Sequence, residues 1–196
     1  MNFKLALTSV ALAAATFSGA ASAVAIQTAF NFVPFGTLTA NMGGDVTAAT
    51  LMAGGAPYLI STILFDNTGI APFGMVSLSD PMPLTIGASF TKTFTTALGT
   101  FVETLTIDSR TAGSSSLGIT AVGTITETVV ISGAMLDPSP VFFSAAYTQN
   151  GGPGAQINGS FNNSTTPPTR VPEPGTLSIL GLALAAMGFM SRRRRA

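Results

Sequence analysis

The chain has 196 residues and contains no histidine and no cysteine, which removes imidazole and thiolate nucleophiles, the usual zinc ligands and every disulfide. Its formal net charge is zero, but between Val24 and Val171 three cations (Lys92, Arg110, Arg170) face seven carboxylates, a balance of about −4. That mildly acidic body argues against nucleic acid as a partner, and with no tryptophan and two tyrosines there is little on which sugars or bases can stack.

Residues 1–23 read as a secretory signal peptide. Lys4 gives a positive start, Leu5 to Ala15 is an apolar run, and Ala21-Ser22-Ala23 is a small-x-small cleavage site. Signal peptidase is expected to cut between Ala23 and Val24, so residues 24–161 form the exported domain.

That domain is rich in Thr, Ser, Gly, Val, Ile and Phe and alternates with period 2, with no sustained period of 3.6. A strand over Ala29–Ala40 is interrupted by Pro34 and Gly36, and Asn41–Asp45 is a turn. Tyr58–Phe65 is a strand closed by Asp66-Asn67-Thr68-Gly69. Met75–Leu78 is an edge strand, and Asp80–Pro83 a loop. Ile86–Thr95 and Phe101–Asp108 form a hairpin through Ala97–Thr100. A Ser/Gly loop over Thr111–Ser116 leads to a long strand, Gly118–Ser132. Val141–Thr148 and Ala155–Phe161 complete the set. Strands at this spacing predict an all-β fold: an antiparallel β-sandwich, with a jelly roll as the alternative.

Two patterns stand out in the strands. Lys92, Glu103 and Glu127 fall on the apolar parity, so burial of that face requires partners; Lys92 is expected to pair with Glu103 across the hairpin. Thr91, Thr93 and Thr95, Thr104 and Thr106, and Thr124, Thr126 and Thr128 fall on the opposite parity. On adjacent strands they make a hydroxyl-and-methyl face, a candidate binding surface for glycan or ice.

Little else suggests chemistry. There is no Gly-x-Ser-x-Gly elbow and no phosphate loop, so the expectation is a protein that is not an enzyme, with no cofactor and no metal. Asp45 and Asp66-Asn67 are read as turn formers ahead of calcium ligands.

Residues 162–171 read as a Ser/Thr/Pro stalk. Asn158-Gly159-Ser160, Asn162-Asn163-Ser164 and Asn163-Ser164-Thr165 fit the N-glycosylation pattern. Then come Pro172-Glu173-Pro174, an apolar run over 175–190, and Arg192-Arg193-Arg194-Arg195. As a helix the run reaches about 24 Å, short of a hydrocarbon core of about 30 Å. Snorkelling arginines can close that gap. The basic cluster is expected to stay cytoplasmic, with the apolar run as a transmembrane helix in the inner membrane and the preceding domain in the periplasm.

This ordered combination, confined to about residues 171–196, resembles a PEP-CTERM sorting signal, a tail also labelled the C-terminal domain of ice-binding proteins. The resemblance implies a Gram-negative bacterium and an exosortase, a membrane cysteine transpeptidase-like enzyme that processes such tails near the tripeptide. It further implies a protein destined for the cell surface or for the extracellular polysaccharide of a biofilm matrix. Function beyond sorting is then assigned to residues 24–161, in a structural or adhesive role.

Overall fold

The computed structural model describes residues 24–165, and these are nearly all strand. The strands are β1 (Thr28–Pro34), β2 (Leu38–Ala40), β3 (Leu51–Gly54), β4 (Tyr58–Asp66), β5 (Met75–Leu78), β6 (Met82–Pro83), β7 (Ser89–Thr95), β8 (Gly99–Ala112), β9 (Ser116–Val130), β10 (Ser139–Gln149) and β11 (Ile157–Thr165). The break predicted at Pro34 and Gly36 separates β1 from β2. Met42 and Gly43, both with positive φ, turn the chain after β2.

The all-β, antiparallel expectation holds, but the strands do not divide into two sheets. β1, β4, β5, β7, β8, β9, β10 and β11 pair in that order, and β11 pairs back to β1, closing an eight-stranded barrel. The closing register is Ala29 with Ser164, Phe30 with Asn163, Asn31 with Asn162, and Phe32 with Phe161. An eight-stranded barrel is just wide enough for side chains to fill. Closure also removes the edge predicted at Met75–Leu78: β5 lies between β4 and β7. β2, β3 and β6 continue from the start of β11 as a short side sheet.

Aromatic rings fill the interior. Phe32 stacks on Phe161 with centroids 5.0 Å apart, and Phe94 on Phe101 at 5.3 Å. Phe30 meets Phe94 edge-on at 5.4 Å, and Phe90 meets Phe143 at 5.2 Å. Fully burying each such ring contributes about 1.5–3 kcal/mol. The strands are therefore apolar inward and hydroxyl-rich outward, the reverse of a lipid-facing barrel.

Two bulges reset the parity of the long strands. Thr100 faces Val129 and Phe101 faces Glu127, so Thr128 is the extra residue. Beyond it Val129 and Ile131, expected to share the buried face of Ile119 and Ile125, are exposed. Asp108 is the extra residue of the second bulge.

The last strand also corrects a boundary. Asn162–Thr165, expected to begin the stalk, continue β11, and Asn163 and Thr165 point into the barrel. Among the described residues no helix is long and apolar enough to cross a membrane; the helix predicted over 175–190 lies outside them.

Candidate functional site

The threonines predicted to form a face come from strands that the fold does place side by side, β7, β8 and β9. One row is unbroken: Thr91 is opposite Thr104, and Thr104 is opposite Thr124. It extends towards β5, where the Ser79 and Thr91 hydroxyls lie 3.1 Å apart. In the next row Val102 separates Thr93 from Thr126, and both threonines are half-buried. In the third, Thr95 is opposite Thr100, their hydroxyls 3.1 Å apart. Thr128 sits on the bulge and donates its hydroxyl to the Thr100 carbonyl at 3.2 Å. Thr106 lies opposite Ser89, hydroxyls 2.9 Å apart. Neighbouring strands repeat every 4.7–4.9 Å or so, so this face is a regular grid of hydroxyls and methyls with a valine inserted.

The three charged residues on the apolar parity all point inward. Lys92 and Glu103 face each other across the β7–β8 hairpin, with Nζ 2.9 Å from Oε1 and neither side chain exposed. The predicted ion pair is present. Beyond this ion pair Nζ has no polar partner. It lies instead 4.5, 5.3 and 5.5 Å from the ring centroids of Phe30, Phe32 and Phe94, a cation–π cage. Burial pushes the Lys92 ammonium down to about 8, opposed by the Glu103 charge. Burial likewise pushes the Glu103 carboxyl up, opposed by Lys92 and by the Asn163 hydrogen bond.

Asn163 is the member that sequence reasoning missed. The sequence puts it in the stalk and in a glycosylation pattern, yet it is fully buried and donates Nδ2 to Glu103 Oε1 at 3.0 Å. The signal was available: Ile157, Phe161, Asn163 and Thr165 share one parity, and all are buried. Glu127 lies apart from this cluster, and its Oε2 accepts the Leu136 amide at 2.7 Å.

The other acidic candidates serve turns. Asp45 Oδ1 accepts the Thr47 amide and hydroxyl at 2.8 and 2.9 Å, and these bonds, the amide first, hold its carboxyl below the usual range. Asp66 accepts the amides of Thr68 and Ile70, at 2.9 and 2.8 Å.

Val24, the residue expected to follow the signal cut, is exposed, and its carbonyl accepts the Asp137 amide at 2.9 Å. Ala23, Pro172, Glu173, Pro174 and Arg192–Arg195 lie outside the described residues.

Comparison with curated proteins and with solved structures finds no match to the chain. Comparison with protein families does find one, and it falls on the segment that carries the tripeptide, the apolar run and the arginines. Residues 170–195 are a PEP-CTERM protein-sorting motif.

Proposed function

We propose that this is a non-enzymatic exported protein that an exosortase processes, held first in the inner membrane with its barrel in the periplasm. It then passes to the cell surface or the extracellular polysaccharide matrix, in a structural or adhesive role. The observation that carries this reading is the sorting motif at 170–195. The signal-like residues 1–23 support it, as does a barrel core packed with aromatic rings in a chain with no cysteine.

The test is mass spectrometry of the protein recovered from outside the cell, with and without the host's exosortase. The expected mature chain begins at Val24 and lacks Arg192–Arg195. Extracellular protein that keeps those arginines, in both strains alike, overturns the reading.

A second reading assigns the threonine face to glycan or ice binding. It is favoured by the continuous Thr91–Thr104–Thr124 row. Replacing Thr104 and Thr124 by lysine puts two charges on the face without entering the core. Retention on matrix polysaccharide, or shaping of growing ice, is expected to disappear while the fold survives. A wild-type protein that does neither removes this reading.

A further inference from the structure

The barrel interior holds a reactive set of groups with no part in sorting. Lys92 on β7 is the single lysine among residues 24–165. Glu103 on β8 places one carboxylate oxygen, Oε1, 2.9 Å from the Lys92 Nζ and 3.0 Å from the Asn163 Nδ2 on β11. An amine, a carboxylate and a side-chain amide thus meet at one atom. All three residues are fully buried, and three phenylalanine rings surround the amine.

As a structural device this cluster is poor. A buried ion pair is often no better than apolar residues of the same volume, and it needs its remaining donors and acceptors satisfied. Here Glu103 Oε2 and Asn163 Oδ1 lack a hydrogen-bond partner, and Lys92 Nζ has none beyond the ion pair. The unsatisfied atoms are the nucleophile, the proton carrier and the carbonyl oxygen of an amide exchange.

We propose that Lys92 and Asn163 join in an intramolecular amide (isopeptide) bond, with Glu103 as the catalytic proton carrier. In the dry core Glu103 takes a proton from the Lys92 ammonium and leaves a neutral amine. Burial shifts both groups in the direction that this transfer needs. Nζ attacks the Asn163 Cγ while protonated Glu103 supplies the donor that Oδ1 lacks. The Nζ–Cγ bond forms and the Cγ–Nδ2 bond breaks. The second amine proton leaves on Nδ2 as ammonia, and the first stays on Glu103. No oxidant or further reactant enters. The product exchanges two buried charges for a neutral amide and a neutral acid, which the aromatic surroundings favour.

The bond would tie opposite walls together. In the ring of eight strands β7 and β11 are four places apart in either direction. An exported chain without cysteine would then carry a covalent cross-tie that reduction does not cleave. This inference stands on the barrel core and does not depend on the sorting reading.

Full-length protein, denatured and digested, is the material for the test. The expected result is a branched peptide joining the segments that contain Lys92 and Asn163, with the intact chain lighter by one ammonia. Lys92→Arg and Asn163→Ala are each expected to abolish the branch and restore the full mass. Asn163→Asp is expected to form the same branch with loss of water in place of ammonia. Glu103→Gln keeps the shape and is expected to slow formation at least about 100-fold. Wild-type protein with full mass and no branched peptide overturns the proposal, as does ammonia loss without a branch. A branch that forms at the wild-type rate in Glu103→Gln overturns the role of Glu103.

Discussion

Single residues fix the barrel where backbones or hydroxyls come closest. A Cβ at Gly123 would collide with the Thr104 carbonyl oxygen on the neighbouring strand, whereas one at Gly118 meets only the Thr111 carbonyl at 3.9 Å. Gly123→Ala must therefore push β8 and β9 apart and is expected to destabilise the fold by about 2 kcal/mol. Gly118→Ala is expected to be near neutral, and urea denaturation midpoints compare the two. Tyr58 gives a pH signature. Its hydroxyl donates to the Gly54 carbonyl at 2.6 Å, and burial, followed by the charge of Asp80, pushes it up from 10.0 to about 12. The folded state then holds a proton that the unfolded state releases between those values. Its stabilisation is complete below pH 10 and is lost as pH rises towards 12. Tyr147, buried with its hydroxyl 3.4 Å from the Met82 sulfur, is shifted the same way, chiefly by burial. Tyr58→Phe is expected to flatten, without abolishing, the fall in stability across that interval, followed by denaturation at stepped pH.

At the scale of elements, what the sequence reveals is local and what it hides is pairing. Period-2 alternation, with apolar runs bounded by turns, finds the cores of β4, β7, β8, β9 and β10, and the parity places Lys92 opposite Glu103 because a short hairpin constrains its own register. It also identifies the threonine rows. It does not find β3, which runs into the turn at Gly54-Gly55, or β6, which has two residues inside a proline-rich loop. Nor does it find the Thr128 bulge, because an extra residue leaves no mark in composition. The closing pair β1–β11 joins segments more than a hundred residues apart, and nothing in either strand names the other. The polar look of Asn162-Asn163-Ser164-Thr165 then disguises the end of β11 as linker. That end has a testable weight. A chain cut after Phe161 loses three of the four closing register pairs and the hydrogen bond from Asn163 to Glu103. While the side chains are unlinked and Glu103 is charged, the last alone is worth about 2 kcal/mol. The truncated barrel is expected to open along this seam, with β1 amides losing hydrogen-exchange protection ahead of those of β8 and β9. Equal protection in both places would show that the seam is not the weak joint.

The whole molecule separates address from body. The barrel's stability rests on aromatic packing within residues 24–165, while the sorting motif occupies 170–195. Changes in the motif are therefore expected to alter destination and leave folding untouched. The arginines make the sharper case. On the proposed topology the apolar run over 175–190 would be a marginal span, and the charges behind it would supply much of what holds its far end on the cytoplasmic side. Replacing Arg192–Arg195 with glutamine removes that hold but keeps the length and polarity of the segment. On that topology the run would stop translocation poorly, and the tripeptide Pro172-Glu173-Pro174 would no longer be held near the bilayer for the processing enzyme. Processed protein outside the cell is expected to fall most of the way to zero, with unprocessed chain appearing in the periplasm. The same variant should keep the thermal transition and far-ultraviolet circular dichroism of the wild-type barrel. Immunoblots of cell fractions paired with melting curves separate the two effects. A variant exported and processed at the wild-type level would show that the arginines do not hold the chain for sorting.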